Sequence, residues 1–441
     1  MNLKSRSIFV TLFFLLTNFV FAQDEMTLSD CLFMAYKNNL SLKEVSINEK
    51  IATLKHTTDY LKLAPTLNAN ASNRYSWGRG IDPNTNSFID TKFKSYSGNI
   101  SSNLNLFSGF LNINTIKQSK QEFEINKALY DKLKNEITIE IASKFITVLY
   151  TEEIIKAIKE QLTSSAKQLE LIVLKFNAGY VSQSEVFKVK SEIANQELNL
   201  LTTQNVLLAT YTDLKSLLNM PLDDDLRLNP LVNENARMIN LEQKEMDIVS
   251  KSLDKNPTFL LSKLQVQKAK TAIAIRRAAV WPSLRANFGY GSSYSDSTLD
   301  FNFEEQLNIN RNYGLAFNLS IPIFNQFDSR SKIKESKLFF EQATIKSSIE
   351  KNTVSNLVLK ALNNAKASKK KYEAAQTSLD FAQKTFEAES LKYNLGKITI
   401  NDLSFTKDNF FTAQANFIQS KYEFLFSNAL IKFYLGENFS L

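Results

Sequence analysis

The sequence predicts a mostly α-helical chain made of two tandem repeats, with very long helices and four β-strands suited to a transmembrane barrel. Three observations carry this. One pattern recurs at a fixed offset, two long tracts lack both glycine and proline, and four short runs alternate apolar with polar residues.

The recurrence is clearest in LKFNAGYVSQSEV (174–186) and LKYNLGKITINDL (391–403), which lie 217 residues apart. At that offset PTLNAN (65–70) falls on PSLRAN (282–287), Tyr96 on Tyr313, Phe107 on Phe324, Phe110 on Phe327 and Asn39 on Asn256. The offset holds without insertion from about residue 39 to residue 220, so the chain is two copies of one unit.

In chain order, residues 1–22 read as a secretory signal peptide: Lys4 and Arg6 precede an apolar run that ends in Val20 and Ala22. Cleavage is expected before Gln23. No cysteine stands at that point, so no lipid anchor is expected. The first repeat then spans 23–220, with strands at about 65–78 and 95–107 and a helical hairpin whose tip lies at 177–183. A linker over 221–240 holds Asp223, Asp224 and Asp225 between Pro221 and Pro230, and reads as solvated. The second repeat spans 241–441, with strands at about 282–294 and 312–324 and a tip at 394–400.

Residues from Phe110 to Ala178 and from Ile323 to Leu395 contain neither glycine nor proline. As single helices each is about 100 Å long. Within the first, Leu129, Leu133, Ile137, Ile141, Phe145 and Leu149 recur every four residues, and Leu162, Leu169 and Phe176 every seven. Ile146, Ile154 and Ile158 form a second stripe. Apolar edges on both sides suit a wall one helix thick, although an antiparallel coiled coil shows the same pattern. Gly179 and Gly396 let each chain segment reverse far from the strands, with Ser182 or Ser184, and Thr399 or Asn401, as candidate caps for the returning helices.

The strand runs alternate. Leu67, Ala69, Ala71, Tyr75 and Trp77 share one face, and Thr66, Asn68, Asn70, Ser72, Arg74 and Ser76 the other. Tyr96, Ile100, Leu104 and Leu106 oppose Asn99, Ser101, Asn103 and Asn105. In the second copy Leu284, Ala286, Phe288 and Tyr290 oppose Ser283, Arg285 and Asn287, and Leu315, Phe317, Leu319 and Ile321 oppose Ala316, Asn318 and Ser320. Each run is long enough to cross a bilayer as a tilted strand, with Leu67, Tyr75, Trp77, Phe288, Tyr290 and Phe317 facing lipid and the polar face lining a wet lumen. A half-buried soluble sheet has the same period. The connections 79–94 and 295–311 read as long, polar external loops. Four strands cannot close a barrel and open edges are not tolerated in lipid, so several chains must contribute. A dimer gives eight strands with a filled interior and a trimer gives twelve, which a wet conduit favours.

The mature chain keeps 51 Lys and Arg against 45 Asp and Glu, spread along its length, which does not indicate nucleic acid. One cysteine, Cys31, excludes an internal disulfide or cysteine cluster. The single histidine, His56, has no partner at metal-ligand or catalytic spacing, and no phosphate-binding motif occurs, so neither an enzyme nor a cofactor is expected. Lys369–Lys371 reads as a helix surface.

The opening TLSDCLFMAYKNNLSLKE, the strand starts LAPTL and VWPSL, the strand ends NLFSG and IPIFNQ, and the two tip motifs together resemble the TolC outer-membrane efflux family over essentially the whole mature chain. The resemblance implies a homotrimer with a twelve-stranded barrel in the outer membrane and an α-helical tunnel in the periplasm. It implies an exit duct that receives substrate from an inner-membrane transporter of RND or ABC type through a periplasmic adaptor. It also implies a periplasmic gate: Tyr393 as an aromatic constriction, Asp402 as an acidic ring facing the pore, and Ser184 and Glu185 as the hydroxyl and acid that accept gate-locking hydrogen bonds. The adaptor would meet Asn177, Ala178, Gly179, Tyr180, Asn394, Leu395, Gly396 and Lys397. The sequence departs from the family where Ile398 replaces an arginine, Phe405 an acidic residue, and Glu185 the more usual aspartate. A duct for type I protein secretion, and a soluble periplasmic coiled-coil scaffold, remain open as other readings.

Overall fold

The computed structural model describes residues 25–81, 86–90, 92–229, 244–297 and 301–440; the signal peptide and the later part of the expected linker lie outside them. The chain runs through α1 (Leu28–Asn38), α2 (Leu40–Leu61), β1 (Thr66–Ser76), β2 (Arg79–Ile81), β3 (Phe88–Asp90) and β4 (Phe93–Ser108). The long helix α3 (Leu111–Asn177) and the returning helix α4 (Gln183–Leu218) complete the first repeat. The second repeat comprises α5 (Glu245–Lys255), α6 (Pro257–Arg277), β5 (Ser283–Ser295), α7 (Phe303–Ile309), β6 (Asn312–Ser320), α8 (Asp328–Asn394) and α9 (Ile400–Tyr434).

The repeat offset is exhibited residue by residue. Both α3 and α8 have 67 residues and both begin and end 217 apart, and α1 and α5 have 11 residues each at the same offset. The duplication therefore reaches back to Leu28, beyond the point where matching residues first betray it. One reason Asn recurs at 39 and 256 is that it caps the following helix each time. Asn39 Oδ1 accepts from the Leu42 amide at 3.2 Å, and Asn256 Oδ1 from the Thr258 and Phe259 amides at 2.9 and 3.3 Å.

The chain divides into two compact units. One combines α1, the second part of α3 from Leu133, α4, α5, α8 from Ser355, and α9. Its core holds Ile141, Val148, Leu214, Leu218, Val358, Leu362 and Ile431, all fully enclosed. The four-residue stripe is buried from Ile137 through Leu149, and Ile146 and Ile158 of the second stripe are buried as well, so α3 is covered on two sides. The seven-residue set behaves differently. Leu162 and Leu169 are half-buried and Phe176 is exposed, while Ile172 takes the enclosed position near the hairpin end.

The other unit contains α2, the strands, α6, α7 and the first parts of α3 and α8. Its four-stranded antiparallel sheet has the order β1-β4-β5-β6, which leaves β1 and β6 as open edges. The register sets mostly apolar residues side by side on one face, with Ser102 as an exception. Ala69, Ile100, Tyr290 and Tyr313 form one cross-strand row, and Leu67, Ser102, Phe288 and Leu315 the next. On the opposite face Asn70, Asn99, Gly291 and Asn312 form a row. A bulge between Asn105 and Phe107 takes Leu106 out of the ladder.

Three expectations need correction here. The connection 79–94 contains the β2–β3 hairpin. The connection 295–311 contains α7, which Gln306 pins to β5: its Nε2 donates to the Ser295 carbonyl at 3.0 Å and its Oε1 accepts from the Ser295 amide at 2.9 Å. Strand β6 ends at Ser320 instead of 324, so Ile321 lies outside it, because Pro322 has no N–H to offer the ladder. Among the described residues no helix is long and apolar enough to cross a membrane.

Candidate functional site

Two surfaces stand out, the sheet and the hairpin tips. On the sheet, Leu67 is 76% exposed and Phe317 63%, and Tyr75, Trp77, Phe288, Tyr290, Tyr313, Leu315 and Leu319 are also exposed. They lie on one face. Such a continuous apolar surface demands a covering other than water. The reverse face carries Asn, Ser, Thr, Gly and Arg, with Ser72 and Ser97 hydroxyls 2.7 Å apart across β1 and β4.

Each tip closes the same way. The Gly179 amide donates to the Phe176 carbonyl at 2.9 Å and the Tyr180 amide to the Lys175 carbonyl at 2.9 Å; Gly396 and Lys397 repeat this on Tyr393 and Lys392 at 3.0 and 2.9 Å. These paired bonds require a left-handed residue after the helix, supplied by Gly179 at φ 80° and Gly396 at φ 71°. All eight tip residues singled out in the sequence are exposed, the large apolar side chains of Tyr180 and Leu395 among them.

The return helices start differently. Thr399 caps α9 in a reciprocal box: Asp402 Oδ2 accepts from the Thr399 amide at 3.0 Å and from its hydroxyl at 2.7 Å. Ser182 occupies the matching position in α4 without a capping bond, and its hydroxyl lies 2.8 Å from that of Ser184. Ser184 and Asn401 are thus not caps; Asn401 accepts from Lys188 instead. The hydrogen bonds from Thr399 hold the Asp402 carboxyl below its ordinary range, with Lys188 acting in the same direction. A depressed carboxylate contributes stability above its unfolded value, 3.8, and loses it as pH falls through the folded value. Asp402→Ala is therefore expected to speed amide exchange in the first turn of α9 at neutral pH, with the difference from the parent vanishing in strong acid. Equal exchange at neutral pH would contradict the cap.

Tyr393 lies inside a cluster with Ile172, Val186, Val189, Ile400 and Leu403, against which Ile398 and Phe386 also pack. Residues from α3, α4, α8 and α9 meet there. The Lys175 ammonium sits 4.3 Å from the centre of the Tyr393 ring, and the buried phenol oxygen has no hydrogen-bond partner among the described residues. Burial pushes the phenol upward, and the charge of Glu185 adds to this. Ile398 thus joins an apolar cluster at a position where an arginine was expected on resemblance, while Asp402 and Phe405 stay exposed.

Behind the tips lies a feature the sequence reading passed over. Lys407 is fully buried, and its Nζ donates to Gln168 Oε1 at 2.8 Å and Ser165 Oγ at 3.1 Å, with Glu192 Oε2 at 3.4 Å. Its signal was available: Lys407 stands at helical spacing from Ile400 and Leu403, on the face that is buried.

Comparison with known proteins matches the chain to the family described as outer membrane efflux protein, over residues 34–220 and 248–437, one segment per repeat. The outer membrane protein TolC of Salmonella enteritidis is 21% identical over 317 residues, covering 71% of this chain and 63% of that protein; the chain thus matches under two thirds of this relative's length. The Campylobacter jejuni CmeC outer membrane channel superposes with a TM-score of 0.80 at 19% identity, covering 94% of this chain and 86% of that one. The outer membrane protein VceC of Vibrio cholerae gives 0.78 at 14% identity, covering 94% and 97%.

Proposed function

The chain belongs to the outer membrane efflux protein family, and from that premise we propose that it is the outer-membrane exit duct of a tripartite efflux pump. Small molecules would pass through it from an inner-membrane transporter of RND or ABC type and a periplasmic adaptor, without chemistry in the duct itself. The observation that carries this reading is the sheet, apolar on one face, polar on the other, and open at both edges. A soluble scaffold would leave that apolar face in water.

The internal repeat supports one way of closing the edges. β4, the second strand that repeat one gives to the four-stranded sheet, pairs with β5, the first from repeat two, with Ser101 opposite Gly289. Shifting both strands by the repeat offset of 217 pairs β6 of one copy with β1 of the next and sets Asn318 opposite Ser72. Three copies then give twelve strands around a wet lumen. In this assembly the tips meet the adaptor and hold the gate, where Asp402 lines the opening and Ile398 and Tyr393 replace a charged lock with apolar packing. Export by the leader at 1–22, without a lipid, belongs to the same proposal.

The register makes it testable. In one sheet β1 and β6 are separated by two strands, about 14 Å, too far for a disulfide. Ser72→Cys with Asn318→Cys should therefore link only between copies and give covalent dimers and trimers on oxidation, with nothing larger. A ladder ending at the dimer would indicate eight strands, and no linkage would refute the shared barrel. Cys31 will not interfere, since it is enclosed and burial pushes its thiol up to about 12.

A further inference from the structure

The four strands of the sheet contain no aspartate or glutamate. Their charged residues are Arg74, Lys94 and Arg285. Lys94 belongs to the apolar face, where its ammonium lies 5.3 Å from the Tyr75 ring centre and 4.9 Å from that of Tyr96. The two arginines are on the polar face and are exposed, each at one end of it. Arg285 lies in a row with Asn105 and Asn318, and Arg74 in a row with Ser95 and Ser295. Those rows are ten residues apart along β5, about 33 Å of strand.

The positive end near the helices is reinforced. Arg285 lines a recess of about 440 Å³ together with Arg276, Lys332 and Asp328. Asp328 Oδ2 is 2.8 Å from Lys332 Nζ, so the recess keeps two arginines that its one carboxylate does not offset.

We propose that the strand-lined part of the duct favours organic anions, such as carboxylates, phosphates or sulfonates, with Arg285 and Arg74 as the specificity-determining residues. This deepens the exit-duct reading and rests on it. Three copies place two arginine rings around a lumen otherwise lined by neutral residues, mostly Asn, Ser, Thr and Gly with Ala316 and Phe93, so no fixed negative charge in the strands opposes them. Guanidinium stays charged at every working pH and pairs bidentately with oxyanions, which gives preference without tight capture in a wide lumen. Asp402 at the tips works in the opposite sense, so the two regions need separate measurement.

The test is the reversal potential of the purified full-length protein in planar bilayers under a potassium chloride gradient, with Asp402→Ala as the common background. Arg285→Gln should lower the anion-to-cation permeability ratio at least about two-fold at 0.1 M salt and much less at 1 M, where charges are screened within about 3 Å. Arg285→Lys should restore most of the ratio, which separates charge from folding. Channels with the same ratio in Arg285→Gln and in Arg74→Gln would overturn the proposal while leaving the duct intact. Absence of any conductance in the parent protein would overturn the duct reading and this inference with it.

Discussion

Gly109→Ala is expected to stop folded protein from accumulating, while Gln326→Ala, its counterpart in the second repeat, is expected to behave like the parent. Gly109 joins β4 to α3 at φ 61°, a left-handed conformation that strains any side chain by about 1 kcal/mol. An added Cβ would also meet the Ala278 carbonyl oxygen at 2.6 Å and Trp281 Cβ at 2.7 Å. These atoms belong to another segment, the turn that leads into β5, and cannot rotate away, so overpacking adds about 2 kcal/mol. A total of about 3 kcal/mol is a large share of ordinary stability. Phe110 follows at φ 67° and packs edge-on against Phe107 and Trp281 at 5.3 and 6.1 Å, so a shift of Gly109 disturbs the whole corner. The second corner repeats the geometry, with Gln326 at φ 56° and the Phe324 and Phe327 rings 5.5 Å apart, yet here a side chain is accommodated. Heat-modifiable mobility and Trp fluorescence of detergent extracts would read the difference. Parent-like yield of Gly109→Ala would show that the close approach to Ala278 relaxes cheaply.

The same pair of corners shows what the sequence disclosed. NLFSG and IPIFNQ align at the repeat offset, so the duplication, the equal long helices and the strand faces were legible from spacing alone. Periodicity reports which face of an element is apolar, and that sufficed for Leu67, Phe288 and Phe317. It does not report what approaches a residue from a distant segment. Hence Gly109 reads as an ordinary turn glycine, although its neighbour Ala278 is well over a hundred residues away. Short elements inside polar connections were missed for a related reason. Strands β2 and β3 have three residues each and α7 has seven, too few for a period to emerge, and α7 is held by the side chain of Gln306. At the tips the sequence marked the turning glycines and the exposed residues. It did not distinguish Tyr393, enclosed among four helices, from Asp402, exposed and bound to Thr399.

Lys407 is the strongest case of a residue whose importance only packing exposes, and its removal is the second large effect expected. Lys407→Ala should destabilise the helical unit by about 3 kcal/mol, since it removes one partner of a buried ion pair and leaves the acceptors of Ser165, Gln168 and Glu192 facing a void. The cation joins α9 to α3 and α4, and α9 begins only two turns earlier at Ile400, so the contact fixes the second hairpin against the first just behind the tips. The deficit should depend on pH. Burial pushes the Asp408 carboxyl above its ordinary range, and the charge of Glu192 adds to this, while Lys407 pulls it back. Without Lys407 the Asp408 carboxyl faces the charge of Glu192 with less compensation, and its folded value rises further. A carboxylate raised on folding costs stability above its unfolded value and regains it as pH falls, so the deficit should be larger at pH 7 than at pH 5. Lys407→Met, which keeps the volume, should cost less than alanine, and Glu192→Gln added to Lys407→Ala should recover part of the loss through a coupling of about 1 kcal/mol. Melting of the helical signal at both pH values would measure this. Parent-like melting of Lys407→Ala, or a deficit that grows in acid, would mean that the buried ammonium is tolerated by its surroundings and does not tie the hairpins together.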